Sequence, residues 1–228
     1  LCASGWTHGD LKGRPHVLTG IRPVRTWQQA ERLQMFLGLD LGTSGVKALL
    51  VDDVQRTMAV GHGTLTVQRP RPGWSEQNPD SWIDAVQAAI AEVRKAAPRA
   101  FAALRSIGVS GQMHGATLLD DRDRPLRPAI LWNDGRSHAE CEEMLAEMPE
   151  IGMVAGVPPM PGFTAPKLRW LAAHEPQVHA RIARILLPKD YVGFRLHGGF
   201  VMDRSDAAGT HWLDQASREW SDALCEVS

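Results

Sequence analysis

Two apolar strand-like segments joined by a four-residue turn restrict what this chain can become more than any other feature in it. Residues 36–42 read Phe-Leu-Gly-Leu-Asp-Leu-Gly and residues 46–53 read Val-Lys-Ala-Leu-Leu-Val-Asp-Asp, and the turn between them is Gly42-Thr43-Ser44-Gly45. Short runs rich in Leu and Val, bounded by Gly and small polar residues, form paired strands. The turn also carries chemistry. Gly42 and Gly45 let backbone N–H groups approach phosphate oxygens, the Thr43 and Ser44 hydroxyls add donors, Lys47 places a positive charge nearby, and Asp40 can hold a magnesium ion through its water shell. The pattern is not a P-loop, because no GxxxxGK[ST] string leads into a helix. The plain alternative is a tight Gly-rich hairpin with a solvated aspartate, and the apolar strands on both sides argue against it.

A third alternating segment, residues 58–68, extends the pair into a meander. Asn78-Pro79 then offers an N-cap with Pro at the first helical position. Trp82, Val86, Ile90 and Val93 recur at helical spacing, which predicts an amphipathic helix to about Ala97. Segments 105–111, 115–121 and 127–134 read as further strands and residues 137–148 as a helix. Thr164–His174 reads as another helix, 183–189 as a short buried strand, 190–196 as a helix N-capped by Asp190, and 217–225 as a last helix. That order predicts an α/β domain with a mixed sheet and flanking helices.

Residues 1–34 differ from the rest. They hold five basic and two acidic residues, with several Gly and Pro and no apolar period, and the first methionine of the chain is Met35. They are expected to be a non-native or disordered extension, with the domain proper spanning 35–228. A net charge of -1, with 43% hydrophobic and 22% charged residues, gives no reason to expect nucleic acid or an anionic membrane as a partner. No apolar run approaches the ~20 residues of a membrane span, and no basic stretch leads into a signal-like apolar core. Cys2, Cys141 and Cys225 lack CxxC spacing and read as free thiols. A cytoplasmic protein is expected.

Later strings make the reading more specific. Pro72-Gly-Trp74-Ser-Glu76-Gln77, Gly111-Gln-Met113-His114-Gly115-Ala, Ile130-Leu-Trp132-Asn133-Asp134-Gly-Arg136, Pro161-Gly-Phe163-Thr-Ala-Pro-Lys167, Leu187-Pro-Lys189-Asp190-Tyr191 and Ser205-Asp206-Ala-Ala-Gly209-Thr210 follow one another along the chain. Together with the hairpin they resemble, in order, the motifs of the xylulokinase branch of the FGGY carbohydrate-kinase family, over nearly all of 35–228. The hairpin itself resembles the first phosphate-binding turn of the actin-like ATPase (ribonuclease H-like) fold. Met113-His114 is the pair that separates this branch from glycerol kinases, which resemble Arg-Glu there.

Read as chemistry, Met113-His114 follows a strand, where open α/β sheets present ligands. The imidazole can bond sugar hydroxyls while the thioether lines an apolar face. Trp132, Asp134 and Arg136 combine a flat stacking surface with polar groups suited to hydroxyls. Their plain alternative is a core Trp beside a surface ion pair. Asp206 is expected to orient the sugar-site loops, with a direct catalytic role as its alternative. His174, His179 and His197 are assigned to the surface, and Trp82, Trp170 and Trp212 to packing.

The resemblance implies ATP and Mg2+ as cofactors, Asp40 holding the metal through water, and D-xylulose as the substrate converted to D-xylulose 5-phosphate. It also implies a catalytic aspartate in a later GGGDNAAG-like motif that has no counterpart before Ser228. On that reading this chain is an N-terminal domain, with its final strands in doubt, that lacks its C-terminal partner and is inactive alone, and the whole protein can be a homodimer. Alternatives stay open: a kinase for ribulose, fuculose or gluconate, or a non-catalytic sugar-binding regulator.

Overall fold

A computed structural model describes residues 34–228. The expected extension of residues 1–34, with Cys2, lies outside the described residues save for Gln34. In chain order the elements are β1 (Met35–Leu41), β2 (Gly45–Asp52), β3 (Thr57–Thr64), β4 (Glu76–Gln77), α1 (Pro79–Ala96), α2 (Pro98–Phe101), β5 (Leu104–Gly111), β6 (Thr117–Leu119), β7 (Ala129–Ile130), α3 (His138–Glu147), α4 (Ile151–Val154), α5 (Thr164–His174), α6 (Pro176–His179), β8 (Arg184–Leu186), α7 (Pro188–His197), α8 (Arg204–Ala208) and α9 (Asp222–Glu226).

The central sheet has the order β3-β2-β1-β5. β1–β2 and β2–β3 are antiparallel and β1–β5 is parallel, so the sheet is mixed. Side chains alternate across it. Leu37, Leu39 and Leu41 of β1, Val46, Ala48 and Leu50 of β2 and Ala59 of β3 are buried in one core with Trp82, Ala85, Val86, Ala89 and Val93 of α1. Each large side chain buried there contributes about 1.5–3 kcal/mol. α1 begins where Asn78 accepts from the Asp80 amide and Pro79 occupies the first turn. It lies so close to β3 that a Cβ added at Gly61 or Gly63 would sit 2.1 Å from the carbonyl oxygen of Ala89 or Ala85. α7 joins the same layer through an edge-on contact of Tyr191 with Trp82 at 6.1 Å.

The opposite face of the sheet carries Asp40 and Lys47, with Gly38 and Leu49, around a cavity of about 490 Å3 that also meets Gly108, Val109 and Ser110. Two further clusters build the rest of the domain: Ala116, Leu118, Ile130, Leu168, Trp170 and Leu171, and then Met144, Ile151, Ala155, Ala165 and Leu224. Trp82 and Trp170 are buried, as expected of packing residues.

Three elements differ from expectation. Asp190 does not cap α7: Leu187 holds the cap position, because Pro188 presets the first helical turn and starts the helix earlier, and Asp190 lies buried inside it. The last helix begins at Asp222, not near 217, since Ser221 accepts from the Leu224 amide and Trp220 is bridged to Leu213. Segment 127–134 contributes only the two residues of β7 before a turn in which the Asp134 amide donates to Leu131. Among the described residues no helix is long and apolar enough to cross a membrane, and Cys141 and Cys225 are free.

Candidate active site

Because β1 and β5 run parallel and pair through Leu41 and Gly111, their carboxyl ends open on the same edge. Gly111 has φ +147°, and a Cβ there would lie 2.5 Å from the Leu41 carbonyl oxygen, so only glycine lets the strands meet this closely. Past Leu41 comes the turn of residues 42–45, closed by the Gly42 amide donating to the Gly45 carbonyl at 2.9 Å. Asp40 is exposed and stands directly opposite Lys47 in the β1–β2 register.

The underside of the turn is held by two buried glutamines that sequence reasoning missed as site residues. Gln112 Nε2 donates to the Gly42 carbonyl at 3.1 Å and to Gln77 Oε1 at 3.1 Å. Gln77 Nε2 donates to the Thr43 carbonyl at 2.8 Å, and Trp82 Nε1 donates to Gln77 Oε1 at 2.9 Å. The Gly42 and Thr43 carbonyls are therefore pulled inward, while the Thr43 and Ser44 amides donate to no acceptor among the described residues. A turn in that state offers its N–H side outward, as an anion site requires. Both glutamines stood inside the quoted strings. The signal that could have singled them out is that a polar residue between a strand and a ligand loop must find partners once buried.

Trp132 reaches the same edge. The residue is 44% exposed, and its indole Nε1 donates to Thr43 Oγ1 at 3.1 Å. Met113 is exposed and His114 half-buried beside it. The His114 ring stacks on Phe163 at 5.0 Å, and Phe163 stacks in turn on His211 at 5.6 Å. A Cβ at Gly209 would fall 2.7 Å from His114 Cε1, so the start of the chain after α8 closes on the imidazole. Burial lowers the His114 pKa and the Lys167 ammonium lowers it further, with Asp206 and the Gly209 backbone opposing. The neutral ring that results has one nitrogen to donate and one to accept, and the Gly209 backbone already engages it.

Asp134 and Arg136 lie behind this surface instead of on it. Both side chains are 1% exposed. Asp134 accepts from the Ser75 amide at 2.5 Å and from Arg136 Nη2 at 2.7 Å; Arg136 also bonds Glu76 at 2.7 Å, and its guanidinium lies 3.6 Å from the centre of the Trp74 ring. Their polar groups are largely spent on the fold, so the arrangement braces the segment that carries Trp132. Lys189 ties α7 to α8 by pairing with Asp190, with Asp203 at 2.8 Å and with Asp206 at 3.1 Å. His174 and His197 are exposed and His179 half-buried.

Among the described residues no three His, Cys, Asp or Glu side chains gather as a metal cluster. The hairpin instead provides one carboxylate, two hydroxyls and outward amides. This donor set suits a hydrated magnesium ion on a polyphosphate better than a directly ligated metal.

A family model described as the FGGY family of carbohydrate kinases, N-terminal domain, matches residues 35–228. The chain is 48% identical over 197 residues to a xylulose kinase of Escherichia coli (strain K12), covering 85% of this chain and 40% of that protein. Among solved structures, a "xyloylose kinase" from Brucella ovis superposes with a TM-score of 0.83 at 54% identity, covering 85% of this chain and 41% of that one. A gluconate kinase from Lactobacillus acidophilus superposes with a TM-score of 0.79 at 27% identity, covering 86% and 39%. The mixed sheet with flanking helices is the actin-like, ribonuclease H-like fold of these kinases. The chain spans about 40% of the length of the curated relatives it matches.

Proposed function

Since the chain belongs to the FGGY family of carbohydrate kinases, we propose that it is the sugar- and phosphate-binding domain of an enzyme that transfers the γ-phosphoryl group of ATP to D-xylulose. The observation that carries this reading is the junction of the two sites: the Trp132 indole donates to the Thr43 hydroxyl, so the sugar-facing surface and the phosphate turn are one continuous edge. Positioning of this kind is what phosphoryl transfer most needs from a protein.

In this reading Met113 and His114 contact the sugar, Trp132 forms a wall of its pocket, and Asp134 and Arg136 brace that wall. Asp40 holds magnesium through water, the turn of Gly42, Thr43 and Ser44 receives phosphate oxygens, and Lys47 adds positive charge beside Asp40. Bound Mg-ATP supplies the transferable phosphoryl group. Asp134, Asp190 and Asp206 each pair with a lysine or arginine, which supports leaving the hydroxyl proton to another group. The proton acceptor, and the wall around the adenosine, are assigned to parts of the whole protein outside residues 35–228. The 228-residue chain by itself is therefore expected not to phosphorylate sugar.

The test is a coupled ADP-release assay on the whole protein with D-xylulose, D-ribulose, L-fuculose, D-gluconate and glycerol. D-xylulose should exceed the others in kcat/KM by about tenfold or more, as expected of a pocket that pairs specific hydroxyls. A preference for gluconate or ribulose would move the assignment to another branch, and sugar binding without ADP release would favour a regulator.

A further inference from the structure

His114 sits in a backbone conformation that a histidine seldom adopts. Its φ is +61°, in the left-handed region where a side chain crowds the adjoining carbonyl. The start of α5 holds it there. The His114 carbonyl oxygen accepts from Thr164 Oγ1 at 3.1 Å and from Lys167 Nζ at 3.0 Å, while the imidazole lies on the Phe163 ring. One short segment thus grips both the backbone and the side chain of the same residue.

Lys167 is the unusual member. It is fully buried, and among the described residues it has no carboxylate partner within ion-pair distance. Burying a lysine in this way is costly unless its donors are used. They are: Nζ donates to the carbonyls of His114, of Phe163 at 3.1 Å and of Gly162. Gly162 in turn packs against the Trp132 carbonyl, where an added Cβ would lie 2.7 Å away. The three acceptors therefore belong to the two loops that frame the proposed sugar pocket.

We propose that Lys167 is a positioning residue for the sugar site: its ammonium pins the His114 carbonyl to the loop before α5 and thereby sets the direction in which the His114 imidazole meets the substrate. This rests on the reading of His114 as a sugar contact. Lys167 itself touches no substrate; it acts through the backbone of His114. The charged form is required, because only an ammonium has three N–H groups for three carbonyls. Burial lowers its pKa to about 7; Asp134 raises it, Arg136 from the same β7–α3 connection lowers it, and Cys141 of α3 raises it. The His114 imidazole faces it from the loop after β5 and has a pKa below its ordinary value. Above neutrality the clamp gives up one donor.

The experiment measures KM for D-xylulose and for ATP separately in the whole protein. Thr164→Val should raise the sugar KM about five-fold and Lys167→Met about tenfold or more, with the ATP KM and kcat held within about two-fold. In a His114→Ala background Lys167→Met should add little, since the group it positions is gone. In the native protein the sugar KM should rise between about pH 6.5 and pH 8.5, and in Lys167→Met that rise should vanish. Should Lys167→Met fail to fold, Thr164→Val and the native pH profile decide. A sugar KM unchanged in Thr164→Val and flat with pH overturns the proposal, as does full additivity of Lys167→Met with His114→Ala. If His114→Ala alone leaves the sugar KM unchanged, the sugar-contact reading falls and this inference with it. If His114→Ala raises it while Thr164→Val and Lys167→Met do not, the inference alone falls.

Discussion

Replacing Gln112 by leucine tests the account of the phosphate turn. Gln112 is 4% exposed, and its Nε2 is a donor to both the Gly42 carbonyl and Gln77 Oε1. Gln77 Oε1 keeps its bond from the Trp82 indole, so the group left without its side-chain donor is the Gly42 carbonyl. The Thr43–Gln112 contact at 3.5 Å is too long to add much. Leucine fills nearly the same volume, so no sizeable cavity opens, and the cost should be that of one stranded acceptor plus one lost hydrogen bond, about 2 kcal/mol. Urea denaturation followed by tryptophan fluorescence reads that loss, and the turn, freed from below, should raise the KM for Mg-ATP while leaving that for D-xylulose unchanged. A stability change under about 0.5 kcal/mol, which is what an ordinary surface substitution gives, would refute the reasoning. So would a sugar KM that moves while the ATP KM stays fixed.

Asp40→Asn should lower turnover by ~10²-fold or more with little change in the sugar KM, because it removes the charge that organises the metal and the transferring phosphate; unchanged turnover would remove Asp40 from the site. Gly63→Ala should destabilise the chain by about 2 kcal/mol or more in thermal melting, because the new methyl would lie 2.1 Å from the Ala85 carbonyl oxygen and force α1 away from β3. Stability should also depend on pH through Lys167. Its folded pKa is lowered to about 7 from an ordinary 10.5, so above 7 the unfolded chain holds a proton the folded chain gives up, and stability rises with pH across that window. The urea midpoint should therefore increase from about pH 7 to pH 8.5 in the native chain and stay level in Lys167→Met.

The strands and helices with long periodic patterns were legible in the sequence. Leu37, Leu39 and Leu41 alternate, and Trp82, Val86 and Val93 recur at helical spacing, so β1–β3 and α1 followed from pattern alone. Thr164–His174 also emerged with its bounds as read. Short elements did not: β4 has two residues and α2, α4 and α6 have four, too few for a period to show, and β7 was read as a strand but at four times its length. Of the proposed site, the hairpin and the place of Met113-His114 just past a strand end were legible from the glycines and the strand pattern. Asp134 and Arg136 were expected to face hydroxyls, yet they turn inward, because Glu76 and Trp74, remote in sequence, wait there as partners. The positioning of His114 by Thr164 and Lys167 joins residues about fifty positions apart along the chain, a separation no local pattern reports.

The central claim, that one edge of this domain receives both the sugar and the phosphate, is tested most directly by NMR of the whole protein carrying methyl-labelled methionine and observed at its tryptophan indoles. D-xylulose at concentrations up to about 10 mM, enough to load a site of millimolar affinity, should shift the Met113 methyl and the Trp132 indole and leave the buried Trp82 and Trp170 indoles in place. A non-hydrolysable ATP analogue with Mg2+ added afterwards should shift the Trp132 indole again, since that N–H donates to the Thr43 hydroxyl. Sugar-induced shifts that bypass Met113 and Trp132, or an indole that ignores the nucleotide, would contradict the account.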